Sequence, residues 1–284
     1  MKTGIIGLGA MGQGMARRVA GAGFLTAVYN RTVSKTQDFA NELSVNACLK
    51  PEDLAAQVDL VLICVSADRD VLEMIAAISK TIKPGSIVVD MSTVSSETAI
   101  IAATMLAEKQ VAFLDAPVSG GVEGAKNGAL SMMVGGKAEI VEQVRPVLAT
   151  MTSRITHMGE VGSGQATKAV NQIMCAGINQ AVTEALAFGQ AQGLPMDKVI
   201  EVTSAGAAGN WFLDRRGKTM TNGTYAPGFK LALHHKDLLI CQAMAEKLNL
   251  EIPVSEMTIA DYAKLMAEGY GDEDISALFR LKRL

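Results

Sequence analysis

Near its start the chain reads TGIIGLGAMG over residues 3–12. A short apolar run (3–6) opens the stretch and predicts a buried strand, and a helical pattern follows over 10–22. The glycine spacing between them is GxGxxG. In this context the backbone N–H groups and the positive helix end bind the diphosphate of a dinucleotide, although an ordinary strand–helix turn is the alternative. The residues predicted to bind the cofactor here are Gly7, Leu8, Gly9, Ala10, Met11 and Gly12.

The rest of the first half repeats this pairing of strand and helix. Each predicted strand is short, rich in Val, Ile or Leu, and bounded by Gly, Pro or polar residues. Continuous apolar strands separated by helices predict an α/β, doubly wound parallel sheet of the Rossmann type, which binds ligands beyond the carboxyl ends of its strands. The further predicted strands lie at 25–29, 59–65, 86–90, 111–114, 130–134 and 154–157, and a further helix lies at 95–108.

The pattern changes after residue 158. The glycine-rich segment GEVGSGQATK is followed by residues that are almost entirely helical in pattern. We therefore predict a dinucleotide-binding domain at 1–160 and an all-helical domain at 161–284, joined by a long helix. The predicted helices of the second part lie at 165–192, 196–205, 229–248 and 254–268.

Composition excludes several classes of protein. The 284 residues carry 26 Lys and Arg against 29 Asp and Glu, for a net charge of -3, so no basic surface is predicted for nucleic acid. No apolar stretch of about 20 residues suggests a membrane span, and the start lacks the features of a signal peptide. The four cysteines form no CxxC pair, so no metal site is expected. We expect a cytoplasmic protein.

The segment after the second strand indicates which dinucleotide is preferred. NAD sites place a carboxylate at this position, but here the chain reads NRTVSK, without one. The guanidinium of Arg31 suits a 2′-phosphate, with hydrogen bonds from Asn30 and Thr32 and added charge from Lys35. A solvated loop cation is the alternative reading of Arg31. We predict NADP (NADPH) as the cofactor.

A second polar segment, DAPVSGG at 115–121, follows the strand at 111–114. The hydroxyl of Ser119 and the unobstructed backbone N–H groups of Gly120 and Gly121 suit a small-molecule carboxylate. From composition alone, an ordinary polar turn is an equally good reading.

Lys168 lies near the start of the long helix, on one face with Asn171 and Gln172. A lysine buried on an apolar helix can exchange a proton near neutral pH. The spacing alone leaves open a snorkelling lysine at the helix start. Elsewhere, the adjacent His234 and His235 are too crowded for a metal pair, and Trp211 is expected to be a core aromatic.

These motifs, in this order, closely resemble the β-hydroxyacid dehydrogenase family over essentially the whole chain. The ordered set is far more specific than any one motif. One difference is visible in the segment VSAD at 65–68, where relatives commonly carry a Leu-Pro pair. The segments that carry the resemblance are GIIGLGAMGQGMA, DMST, DAPVSGGVEGAKNGALSMMVGG, GSGQATKAVNQ, GFKLALHHKDL and GYGDEDISAL.

The resemblance implies a Rossmann domain followed by a helical domain, and a homodimer or homotetramer. It implies that Lys168 is the catalytic acid/base and that Ser119, Gly120 and Gly121 bind the substrate carboxylate. Further roles follow from it residue by residue. Asn171 and Gln172 are assigned to the substrate, Val65 and Thr93 to the cofactor, and Lys236, supported by Asp237, to cofactor or substrate.

The expected activity is hydride transfer between NADP(H) and a small β-hydroxy acid or aldehyde acid, such as a semialdehyde or glyoxylate. Three alternatives remain. Imine reductases share the same two-domain plan but usually lack a lysine at the place of Lys168. A non-catalytic dinucleotide sensor needs no proton donor. A 6-phosphogluconate dehydrogenase would share the early motifs, but that enzyme is much longer and has a larger helical half.

Overall fold

The computed structural model describes residues 1–282. These residues form two compact units, one from Met1 to Lys168 and the other beginning at Ala169. The predicted assignment of separate functional domains to 1–160 and 161–284 stays a prediction. Within residues 1–282, no helix combines the length and the apolar character that crossing a membrane requires.

The first unit is built on a mixed sheet of nine strands within the described residues. Their order is β3-β2-β1-β4-β5-β6-β8-β7, with β9 paired to β8. The first six strands of that order run parallel, while β8 is antiparallel to β6 and β7. The strands are β1 Thr3–Ile6, β2 Leu25–Tyr29, β3 Asn46–Ala47, β4 Leu60–Ile63, β5 Ile87–Asp90, β6 Ala112–Asp115, β7 Val118–Ser119, β8 Leu130–Gly135 and β9 Thr152–Gly159.

Helices cover both faces of this sheet. Ile5 of β1 packs into the core on one face, and the next residue, Ile6, packs into the core on the other. Because both faces are buried, the strands are continuous apolar runs, as the sequence predicts. The doubly wound α/β fold is confirmed. The helices of the unit are α1 Ala10–Gly21, α2 Val33–Leu43, α3 Pro51–Ala55, α4 Asp68–Ile78, α5 Ser96–Ala107, α6 Gly121–Asn127 and α7 Ala138–Leu148.

Helix α8 (Ser163–Ala191) begins in the first unit and continues into the second, which is helical as predicted. The core of the second unit includes Phe212, Leu238 and Tyr262. Trp211, expected in the core, is 62% exposed, so that prediction is wrong. The remaining helices are α9 Met196–Ser204, α10 Trp211–Thr221, α11 Leu231–Lys247, α12 Pro253–Ala267 and a 3-10 helix at Ile275–Lys282.

Candidate active site

The order of the strands reverses direction at β1 and β4, which lie side by side. In a doubly wound sheet, the crevice at such a switch point binds the ligand. Gly7 follows β1 with φ +98°, and a Cβ there would lie 2.1 Å from the Cys64 carbonyl oxygen. At Gly12 a Cβ would lie 2.0 Å from the carbonyl oxygen of Gly7. Both positions therefore require glycine, because rigid backbone fills the space.

The start of helix α1 faces this crevice with open backbone. A Cβ placed on Gly9 would meet nothing within 4 Å. Gly9 is the N-cap of α1, no side chain caps the helix, and its first turn carries no acidic residue. Exposed N–H groups and a positive helix end attract phosphate. The open glycine and the uncapped helix therefore fit a dinucleotide diphosphate.

The loop after β2 is held against the glycine turn by Asn30. The Asn30 side-chain Oδ1 accepts a hydrogen bond from the Leu8 backbone N–H at 3.0 Å. The hydroxyl of Thr36 bonds both the N–H and the carbonyl of Asn30, at 3.0 and 3.1 Å. This places the segment beginning at Arg31, a predicted cofactor residue, at the carboxyl end of β2, next to the turn after β1.

The Arg31 side chain is 88% exposed, and its Nη1 lies 3.8 Å from Oδ1 of Asp70 on α4. Thr32 is the N-cap of α2 and is exposed, whereas Lys35 in the first turn of that helix is half-buried. The loop therefore presents the Arg31 guanidinium and the Thr32 hydroxyl to solvent at the edge where the adenosine end of a dinucleotide binds in this fold.

The loops after β4 and β5 are joined through Ser92. The Ser92 hydroxyl accepts a hydrogen bond from the Val65 N–H at 2.9 Å, and the Ser92 N–H donates to Oδ1 of Asp90 at 3.0 Å. Val65 lies in the loop after β4 and Thr93 in the loop after β5. The two residues predicted to contact the cofactor therefore lie in loops that are hydrogen-bonded to each other. Asp68, the last residue of the VSAD segment, accepts hydrogen bonds from the Ser95 N–H at 2.9 Å and the Thr98 hydroxyl at 2.7 Å.

Lys168 is 7% exposed, so its ammonium group does not extend into bulk solvent. Its Nζ donates a hydrogen bond to the backbone carbonyl of Val118 at 2.9 Å. Val118 directly precedes Ser119, and the positive φ values of Gly120 (+131°) and Gly121 (+63°) turn the chain into α6. The structure thus brings the predicted acid/base next to the segment predicted to bind a carboxylate.

One side chain that the sequence did not assign to the site, the Asp115 carboxylate, holds the start of α8. The Asp115 carboxylate, at the end of β6, accepts hydrogen bonds from the N–H groups of Gly162 and Gln165, both at 2.8 Å. Burial raises the pKa of Asp115, and these N–H donors act in the opposite direction. Asp115 and Gln165 lie inside two of the segments that carry the family resemblance, but their hydrogen-bond partners are distant in the chain.

In the second unit, the predicted residues Asn171, Gln172 and Lys236 form one hydrogen-bonded chain through Asp237. Nδ2 of Asn171 donates to Oε1 of Gln172 at 2.7 Å, and Nε2 of Gln172 donates to Oδ2 of Asp237 at 2.6 Å. Nζ of Lys236 lies 2.8 Å from the other oxygen of Asp237. Gln172 is 1% exposed, and both ends of its amide have protein partners.

The chain matches two protein families along its length. Residues 2–159 match the NAD-binding domain of 6-phosphogluconate dehydrogenase, and residues 162–282 match the NAD-binding family of NADP-dependent 3-hydroxyisobutyrate dehydrogenase.

Individual relatives match from end to end. An uncharacterized oxidoreductase of Shewanella frigidimarina is 37% identical over 286 residues, covering 99% of this chain and 98% of the relative. The 2-hydroxy-3-oxopropionate reductase of Escherichia coli is 34% identical, covering 100% and 98%. The solved 3-hydroxyisobutyrate dehydrogenase of Mycobacterium tuberculosis, with L-serine, is 27% identical at a TM-score of 0.91, covering 100% and 99%.

A mainly parallel, doubly wound sheet with a glycine turn at its switch point, together with these matches, defines a nicotinamide-dinucleotide-dependent oxidoreductase that acts on hydroxy acids. More narrowly, the chain belongs to the β-hydroxyacid dehydrogenase family, with enzymes of the 3-hydroxyisobutyrate dehydrogenase type. The roles of the individual site residues stay predictions.

Proposed function

We propose that this protein is an NADP-dependent reductase and dehydrogenase of small aldehyde acids and β-hydroxy acids, with Lys168 as the general acid/base. The observation that carries the proposal is the hydrogen bond from the buried Nζ of Lys168 to the Val118 carbonyl at 2.9 Å. It joins a proton-transferring group to the segment that best suits a substrate carboxylate.

Cofactor binding is assigned mainly to residues that follow four strands, β1, β2, β4 and β5. The backbone of 7–12 would hold the diphosphate, and Arg31, Lys35, Thr32 and Asn30 the adenosine phosphate. Val65 and Thr93 would border the nicotinamide, and the family resemblance adds Lys236. When bound, the dinucleotide supplies a hydride to a carbonyl carbon or removes one from an alcohol carbon.

The substrate would be oriented by its carboxylate. The Ser119 hydroxyl and the N–H groups of Gly120 and Gly121 would donate to it, which holds the reacting carbon in one position. Asn171 is assigned to the substrate on the family resemblance. Because both ends of the Gln172 amide have protein partners, we assign Gln172 to holding Asn171 and Asp237.

Proton transfer is assigned to Lys168. In reduction its ammonium donates a proton to the oxygen of the carbonyl as that oxygen gains charge, and in oxidation the neutral amine accepts the hydroxyl proton. The Val118 carbonyl accepts a hydrogen bond from Nζ and so restricts the directions in which the amine can point.

We also propose a homodimer or homotetramer that requires neither nucleic acid nor a membrane. Val170, Met174 and Phe188 on α8 are 57%, 61% and 67% exposed, which supports burial of this helix against another copy. Light scattering coupled to size-exclusion chromatography measures the assembly.

The decisive experiment compares Lys168→Met with a matched Lys109→Met at an exposed lysine. Glyoxylate, succinic semialdehyde, tartronate semialdehyde and methylmalonate semialdehyde are assayed with NADPH and with NADH. Lys168→Met should lower turnover by about 100-fold or more while NADPH binding remains, because only the proton donor is lost. Lys109→Met should match the parent.

Full turnover in Lys168→Met would refute the assigned role. The same panel separates the alternatives. Reduction of a cyclic imine in preference to every aldehyde acid would identify an imine reductase. NADPH binding without oxidation of NADPH by any substrate would identify a non-catalytic sensor.

A further inference from the structure

The side-chain amide of Gln165 is hydrogen-bonded to the backbone of the residues before and after Thr93. Its Nε2 donates to the Ser92 carbonyl at 2.8 Å, and its Oε1 accepts from the Val94 N–H at 3.2 Å. Gln165 is 1% exposed, so water does not compete for these bonds. One amide thereby holds the backbone on both sides of the residue that we expect beside the nicotinamide.

The backbone of Gln165 is itself held firmly to the sheet. Its N–H donates to Oδ2 of Asp115 at 2.8 Å, and the Gly162 N–H donates to the other oxygen of that carboxylate. A Cβ on the adjacent Gly164 would lie 2.6 Å from the carbonyl oxygens of both Asp115 and Met133. The first turn of α8 therefore lies against β6 and β8 with no space to shift toward them.

Lys168 follows Gln165 by three residues on the same helix, so the two side chains leave the helix about one turn apart. One reaches the Val118 carbonyl after β6, and the other reaches the loop after β5. A single rigid helical turn thus fixes the distance between the Lys168 amine and the Thr93 loop.

We infer that Gln165 is a positioning residue that sets the nicotinamide-side loop relative to the Lys168 amine. The inference rests on the proposed function, because it assumes the roles of Lys168 and Thr93. An amide suits the position because it supplies a donor and an acceptor without charge. An ionised carboxylate would accept from Val94 but would face the Ser92 carbonyl without a proton to donate.

The experiment compares Gln165→Met and Gln165→Glu with Gln180→Met as the matched control. Gln180 is also a buried glutamine of α8, and its Nε2 bonds Thr258 and Asp261, away from the assigned residues. Four quantities are measured for each variant: kcat, KM, the Kd for NADPH by fluorescence titration of the protein, and the Tm.

Gln165→Met should lower kcat by about 10- to 100-fold, because a small misplacement of reacting groups has an effect of this size. Its Kd for NADPH should stay within about threefold, because Gln165 is hydrogen-bonded to Ser92, Val94 and Asp115 and not to the glycine turn assigned to the diphosphate. Gln180→Met should lower the Tm and leave kcat unchanged.

Gln165→Glu gives the more specific readout. A protonated carboxyl can donate to the Ser92 carbonyl and accept from Val94, as the amide does, whereas the ionised form cannot. The ratio of its kcat to that of the parent should therefore rise as the pH falls. This measurement also decides the matter if Gln165→Met does not fold.

A pH-independent ratio, or a kcat for Gln165→Met within about twofold of the parent, would overturn the inference. Lys168→Met, measured beside these variants, separates the positioning role of Gln165 from the proposed function of Lys168. If it loses turnover while Gln165→Met keeps it, only the positioning role is wrong. If Lys168→Met keeps turnover, the proposed function itself is wrong.

Discussion

Oδ2 of Asp115 accepts a hydrogen bond from the backbone N–H of Gln165 at 2.8 Å, which ties the end of β6 to the start of α8. The same strand end leads to Val118, whose carbonyl accepts a hydrogen bond from the Lys168 ammonium. The position of the lysine nitrogen therefore depends on two attachments to one segment of chain. A carboxylate at the amino terminus of a helix also interacts favourably with the helix dipole.

Gly164→Ala tests how closely the helix must approach the strand. The added Cβ would lie 2.6 Å from two backbone carbonyl oxygens, so the helix start must shift. We expect a loss of about 1–3 kcal/mol in the free energy of unfolding, from overpacking, together with a reduced kcat. Denaturant titration and steady-state kinetics measure the two effects.

Gly177→Ala is the matched control on the same helix, because a Cβ there would meet nothing within 4 Å. Alanine favours a helix interior over glycine by about 1 kcal/mol, so this variant should be as stable as the parent or more stable. Equal behaviour of the two variants would show that contact at Gly164 does not limit the helix position.

Arg31 and Asp70 test the cofactor preference. Removing the guanidinium in Arg31→Ala should raise the Kd for NADPH by about tenfold and leave that for NADH nearly unchanged, because only NADPH carries the 2′-phosphate. Oδ1 of Asp70 lies 3.8 Å from Nη1 of Arg31 and would compete with the 2′-phosphate for the guanidinium. Asp70→Asn should therefore tighten NADPH binding by about two- to fivefold, the range of an exposed ion pair.

Fluorescence titration at two salt concentrations measures both effects, and the gain in Asp70→Asn should shrink as salt rises. Arg69→Ala is the control, since Arg69 is exposed and pairs with Glu73 in the next helical turn. Equal weakening of NADPH and NADH binding in Arg31→Ala would mean that Arg31 does not distinguish the two cofactors.

The fold could be predicted from the sequence wherever the physical signal is local. Strands such as Thr3–Ile6 and Leu25–Tyr29 are apolar on both faces, and the predicted bounds match the structure. Strands β3 and β7 contain only two residues each, too few to show a periodicity. Trp211 begins α10 on its exposed side, whereas the next two residues, Phe212 and Leu213, belong to the core of the second unit.

The candidate site was less predictable, because its contacts join residues that are far apart in the chain. Residues 92 and 165 are bonded across 73 positions, and helical periodicity carries no information about such a pair. The sequence also left open whether Lys168 is solvated. Its burial depends on the packing of α8 near the Val118 carbonyl, which is a tertiary property.

Asp90, at the end of β5, is a fully buried carboxylate. Oδ1 accepts from the Ser92 N–H, whereas Oδ2 has no hydrogen-bond partner among residues 1–282. Burial raises the pKa of Asp90 from 3.8 to about 6, and the nearby carboxylates of Asp115 and Asp68 act in the same direction. The folded protein therefore holds this proton more tightly than the unfolded chain does.

A raised carboxyl pKa stabilises the folded state most at pH values below the unfolded pKa, and this contribution is lost as the pH rises through about 6. Asp90→Asn removes the ionisation. Its free energy of unfolding relative to the parent should rise by about 2 kcal/mol between pH 4.5 and pH 8, because most of the pKa difference between the folded and unfolded states lies within that range. Urea titrations across that range, with Asp197→Asn at an exposed carboxylate as control, measure the difference. A difference that stays constant with pH would show that Asp90 ionises as readily in the folded protein as in the unfolded chain.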